Sequence, residues 1–213
     1  MGSGMLMFRF LAKALIATGL LTGGLLAAQG PSAASSMQST PAPTGRETSI
    51  PYGWVDFCQR YRGECEGPEL TPVDLNLTPK AMKEIERVNQ WVNANITPMS
   101  DMDHWGVIDQ WDYPTDGKGD CEDYALLKRK LLIEEGLPRQ ALLMTVVKDL
   151  NNEGHAVLTV KTSRGDFVLD NMRDDVRPWT QTGYRFVKRQ SQTNENVWVS
   201  IGAPTDAPAY VSR

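Results

Sequence analysis

The run Gly119-Asp120-Cys121-Glu122-Asp123-Tyr124-Ala125 opens a stretch, CEDYALLKRKLLIEEG over residues 121–136, that decides how this chain reads. Asp120 is a good N-cap, Glu122 and Asp123 fall in the first turn, where carboxylates complement the helix dipole, and Gly136 supplies a stop. The spacing predicts a helix from Cys121 to about Glu135 with a cysteine as its first residue. A helix N-terminus favours the thiolate, the form that attacks carbonyls. The N–H groups of a first helical turn have no intrahelical partner and are free to meet a developing oxyanion.

Working outward, Thr78-Pro79 reads as an N-cap followed by proline at the first helical position. Met82, Ile85, Val88, Val92 and Ile96 then recur at three- and four-residue intervals, which predicts an amphipathic helix ended by Pro98. Residues 99 to 119 form a long connection that includes SDMDHWGVIDQWDYPTDGKG. Loops of this length are functional or disordered, and Trp105, Trp111 and Tyr113 argue for an ordered, functional one. His104 and the tryptophans either rim a cleft or plug the core. After the Cys121 helix come runs of β character: Ala141–Val147, His155–Thr162, Asp166–Asp170, Tyr184–Lys188 and Val197–Ile201. Turn signals such as Asn151-Asn152 and Arg164-Gly165 separate most of them, so the sheet is expected to be antiparallel. Two helices followed by strands is an α+β layout.

The ends of the chain read differently. Residues 1–34 carry Arg9 and Lys13, no acid, and an apolar run Ala14–Ala28 followed by small residues. That is the pattern of a secretory signal peptide, and the run is shorter than the roughly 20 apolar residues a membrane span needs. No stable membrane insertion is therefore expected once the signal is cleaved, and the protein is expected to be periplasmic or secreted. Residues 35–50 read as a flexible linker, 51–77 as an irregular segment, 51–203 as one domain and 204–213 as a tail. The formal net charge is −4, and −6 without Arg9 and Lys13. An acidic chain is poorly suited to nucleic acid or anionic lipid, so a protein or peptide partner is expected.

Of the three cysteines, Cys58 and Cys65 lie close enough in sequence to close a short loop in an oxidising compartment. Cys121 is then left unpaired, as either a reactive thiol or a buried structural one. The chain has two histidines, His104 and His155. His155 begins one predicted strand and Asp170 ends the next. A hairpin with an even loop puts both on one sheet face, and a four-residue loop at Lys161–Arg164 places them directly opposite. Cys121, His155 and Asp170 would then act as nucleophile, base and orienter. The spacing alone fits equally well a solvated strand-end histidine and an ordinary turn aspartate.

The runs Gly119 to Ala125, Gly154-His155-Ala156-Val157-Leu158 and Val168-Leu169-Asp170-Asn171, with Trp111-Asp112-Tyr113-Pro114 and Val88-Asn89 upstream, resemble the bacterial transglutaminase-like cysteine proteinases. The resemblance covers roughly residues 50 to 201, in order and spacing. It implies a papain-like or transglutaminase-like core and a catalytic triad of Cys121, His155 and Asp170. Similar proteins include calcium-dependent periplasmic proteases that clip large surface adhesins and are restrained by an inner-membrane receptor. An adhesin substrate and such a receptor are thus implied partners. The Pro51-Tyr52-Gly53-Trp54 stretch and the Cys58/Cys65 pair look more like a separate branch.

The resemblance also implies Ca²⁺ at Asp120, Glu122 and Asp123, oxygen ligands of the kind calcium takes. The same acids would otherwise serve only to cap the helix. Zinc is disfavoured, because no sequence-close Cys/His set has finger-like spacing. The expected reaction is acyl transfer through a thioester, with water as acceptor giving peptidase activity. The alternatives are transfer or deamidation at glutamine side chains, and a non-catalytic module that binds an envelope protein in the same cleft.

Overall fold

The computed structural model describes residues 38–202 and 206–211. The signal peptide expected over residues 1–34 lies outside the described residues, as do parts of the expected tail. Seven antiparallel strands form one sheet: β1 (Thr44–Thr48), β4 (Leu142–Lys148), β5 (Gly154–Thr162), β6 (Gly165–Asp170), β7 (Arg173–Pro178), β8 (Arg185–Gln190) and β9 (Trp198–Ile201), in the order β1-β9-β8-β4-β5-β6-β7. The helices are α1 (Tyr52–Arg60), α2 (Pro79–Asn95), the single-turn α3 (Asp101–His104) and α4 (Cys121–Glu134). A short parallel pair joins β2 (Thr97–Pro98) to β3 (Lys118–Gly119). The α+β expectation holds, and the two long helices and five predicted strands start and stop within two residues of their expected ends.

Local chemistry accounts for these boundaries. The Thr78 side chain accepts from the Ala81 N–H at 3.1 Å at the start of α2. The carboxylate of Asp123 reaches back to the Asp120 N–H at 3.3 Å at the start of α4, in a capping box. Helix α4 packs on β4, β5 and β6, while α2 packs on α4 and β7. One core gathers Ile85, Val88 and Val92 of α2 with Leu126 and Leu132 of α4 and with alternate residues of the central strands. A smaller cluster built on Val147, Val157, Val168, Phe186 and Ile201 takes the opposite alternation.

Three segments differ from expectation. Thr44–Thr48, inside the presumed linker, is edge strand β1, paired with β9. Part of the segment expected to be irregular is helix α1, which inserts Trp54 and Phe57, both fully buried. Trp54, Trp111 and Trp198 meet edge to face with ring centroids 6.2–6.4 Å apart. Strand β7, polar in sequence, was not expected at all. The β5–β6 connection also differs. Thr162 pairs with Gly165, so the turn has two residues, Ser163-Arg164, in place of four. Gly165 has φ +96°, which only glycine adopts without strain and which lets the chain reverse early.

Candidate active site

The strand pair β2–β3 ties the ends of the long connection together, with the Met99 N–H on the Gly119 carbonyl at 2.9 Å. This delivers Asp120 and Cys121 to the start of α4. The Tyr124 hydroxyl donates to the Ile96 carbonyl at 2.6 Å and fixes α4 to the end of α2. The Cys121 thiol, 1 % exposed, donates to Glu122 Oε2 at 3.1 Å and accepts from the Ala156 N–H at 3.4 Å.

His155 is the second residue of β5 and Asp170 the last of β6. The two-residue turn shifts their register, so that they sit diagonally rather than directly opposite. Parity is unchanged and both keep the same face. His155 Nε2 meets Asp170 Oδ1 at 2.9 Å. Asp170 is further held by the Tyr184 hydroxyl on Oδ2 at 2.6 Å and by the Met172 N–H on Oδ1 at 3.0 Å. From α2, Asn93 Nδ2 donates to the Asp170 carbonyl at 3.0 Å, and Asn89 Nδ2 donates to the carbonyls of Arg173 and Asp174. The Tyr184 ring stands edge-on to the imidazole, with centroids 5.6 Å apart.

The electrostatics follow from this arrangement. Burial pulls the His155 pKa down, but its hydrogen bond to Asp170 and the neighbouring Cys121 outweigh it and the value is raised to about 10. For Asp170, burial pushes up, yet His155, Tyr184 and the Met172 N–H together hold the carboxyl below its usual range. The imidazole is therefore stabilised in its charged form between a carboxylate and a thiol.

Beside this trio lies a knot of acids. Ligand atoms of Asp101, Asp109 and Glu122 lie within 4.8 Å of one another, and so do those of Asp101, Asp120 and Asp123. Asp120 and Glu122 also share such a group with the Cys121 sulfur. Asp101, which comes from α3, belongs to both of the all-carboxylate sets. Asp123 is committed to capping, accepting from the Asp112 N–H at 2.7 Å and from the Asp120 N–H. Asp101 Oδ1 and Glu122 Oε1 are buried with no partner other than neighbouring acidic side chains. Burial, then neighbouring acids, push Asp101 and Asp109 up to about 6 and Asp123 up to about 9. Burial and the charges of Cys121, Asp120 and Asp123 carry Glu122 well above the carboxylate range. Buried carboxyl oxygens crowded against other acids fit a hard cation with oxygen ligands.

The family described as bacterial transglutaminase-like cysteine proteinase (BTLCP) matches residues 44–206. The chain belongs to that family. The proteinase is also similar to solved structures of Legionella pneumophila LapG. The calcium-bound form is 23% identical with a TM-score of 0.50, covering 62% of this chain and 76% of that one. A second LapG structure gives 25% and 0.48 over 58% and 71%, and an EGTA-treated one 24% and 0.47 over 60% and 73%. No curated protein matches the chain.

Several residues of this proteinase's site escaped sequence reasoning. Asp101 and Asp109 carried only the signal of an Asp-dense loop, and Tyr184 and Asn93 carried none. The loop aromatics divide between both expected roles: Trp111 is fully buried, while Trp105 is 49 % exposed and stacks on His104. Among the described residues, no helix of the proteinase is long and apolar enough to cross a membrane.

Proposed function

We propose that this cysteine proteinase hydrolyses protein chains with Cys121 as nucleophile, His155 as general base and acid, and Asp170 as the group that orients the imidazole. The observation that carries the reading is the 2.9 Å contact from His155 Nε2 to Asp170 Oδ1 beside a thiol at a helix N-terminus. With Nε2 committed to the carboxylate, Nδ1 is the nitrogen left to serve the thiol. The Cys121 sulfur attacks the carbonyl carbon, and the resulting oxyanion is met by free N–H groups of the first turn of α4. The imidazolium gives its proton to the leaving amine, leaving a thioester. The neutral imidazole then takes a proton from water, whose oxygen attacks the thioester and releases the carboxylate and the thiol.

Calcium, reported in the LapG structure, suits the acid knot. Asp101 with Asp120 and Asp123, or Asp101 with Asp109 and Glu122, would hold it. Bound there it would offset the negative charge beside the thiolate. Export to the periplasm fits the leader read in residues 1–34 and the disulfide between Cys58 and Cys65. An adhesin-like surface protein as substrate, with a membrane receptor as regulator, is carried by the family resemblance alone.

Hydrolysis of a labelled protein substrate tests the reading. Cys121→Ala should abolish turnover with an unchanged circular dichroism spectrum. Asp170→Asn should lower kcat by about 10²–10⁴-fold. Turnover retained in folded Cys121→Ala sinks the assignment.

A further inference from the structure

The thiol and imidazole are sealed: Cys121 and His155 are 1 % and 0 % exposed. A proteinase must bring a backbone carbonyl to within about 3–3.5 Å of its nucleophile.

Residues 206–211 lie against Asp109 on one side and against Gly154, the chain neighbour of His155, on the other. Val211 is 3 % exposed and joins the same apolar core as Cys121, Ala156 and Trp111. Its backbone N–H donates to the Asp109 carboxylate. Asp109 in turn clusters with Glu122, the residue that accepts the Cys121 S–H. On the other side, the segment closes over Gly154. A methyl group at Gly154 would fall 2.2 Å from the Tyr210 carbonyl oxygen and 2.8 Å from Pro208 Cβ, so only glycine admits this approach.

The segment is loosely held. It has no regular secondary structure, and Tyr210 is 54 % exposed. Beneath it remains a cavity of about 170 Å³ bordered by Tyr52, Asp109, Trp111, Val146 and Lys188. Few buried contacts beside a void are the marks of a segment that opens locally at low free energy.

We propose that residues 206–211 form an intrachain strap that lies in the substrate approach, so that a protein chain reaches Cys121 only when the strap is displaced. This regulatory reading rests on Cys121 being the nucleophile. The strap is an irregular peptide with a single buried aliphatic side chain, and the displaced approach is suited to an irregular protein segment of the same kind.

Iodoacetamide labelling of Cys121 in the full chain, followed by intact mass, tests the strap. Val211→Asp sets a carboxylate against Asp109 and should label about tenfold faster than the unsubstituted chain. Val211→Ala should give a smaller acceleration with less demand on folding. Added peptide of sequence DAPAYVSR, residues 206–213, should slow both variants again. Folded variants that label no faster overturn the proposal. So does failure of Val211→Ala to fold, which would make the segment part of the obligate core. Repeating the labelling with His155→Ala separates the two readings. Strap-dependent labelling that is indifferent to His155 leaves the strap standing and removes the activated nucleophile.

Discussion

Lys128 lies two turns along α4 from Cys121, fully buried, and its Nζ has no hydrogen-bond partner among the described residues. It stands 5.8 Å from the centre of the Tyr124 ring. Burial pulls its pKa down to about 7 against the opposing pull of Asp170 and Asp174. An unsatisfied buried polar group costs about 1–3 kcal/mol, so Lys128→Met, of similar length, should stabilise the fold by that order in urea unfolding at neutral pH. The folded pKa is depressed from 10.5 to about 7, so the penalty is greatest below pH 7 and vanishes towards pH 10.5. A destabilised Lys128→Met would instead make the ammonium a needed counter-charge to Asp170. Residues of this kind separate what sequence shows from what it hides. Cys121 and His155 were legible because a helix start and a strand start are local signals. Lys128 and Asp101 look like ordinary surface residues until the fold buries them, and Tyr184 does until the fold sets its hydroxyl on Asp170.

The sheet repeats that division between elements. Strands β4, β5 and β6 are buried almost throughout and read from sequence as runs of Val, Leu and Phe. Edge strands β1 (TGRET) and β7 (RDDVRP) were invisible. An edge strand is kept polar and charged to discourage pairing with other chains, which erases the alternation that would reveal it. Helix α1 was obscured by Gly53 in its first turn and by its length of only 9 residues, and a covalent tie adds to the packing of Trp54 and Phe57. The Cys58–Cys65 disulfide ties the end of α1 to the segment that follows it. Closing a loop this short restrains the unfolded chain by roughly 2–3 kcal/mol. Cys58→Ser with Cys65→Ser should therefore lower the melting temperature by about 5–10 °C. An unchanged melting temperature would mean that Trp54 and Phe57 hold α1 without help from the bridge.

Across the whole molecule, the largest electrostatic fact is that one acidic knot sits inside a protein already net negative. The folded carboxyls of Asp101 and Asp109 are raised to about 6 and that of Asp123 to about 9, against about 3.8 in the unfolded chain. A raised pKa means that the folded state holds the proton more tightly. The stability it confers is thus complete below about pH 3.8 and is lost as pH rises through 6 and then 9. His155, raised to about 10, adds a decline of the same sign above about pH 6.5, and Lys128 opposes it above about pH 7. The interval from about pH 4 to 6.5 therefore isolates the acids. In chelator, the melting temperature should fall across that interval. A cation that binds only the ionised knot adds RT ln(1 + [L]/Kd), about 2.7 kcal/mol at a hundredfold excess over Kd. Calcium should therefore flatten or reverse the fall, and Asp101→Asn, which removes the acid shared by both ligand sets, should abolish that effect. Melting curves that decline with pH but ignore calcium would leave the acids as helix caps held protonated by burial. Curves without the decline would mean that the knot is neutralised within the fold by groups other than a metal.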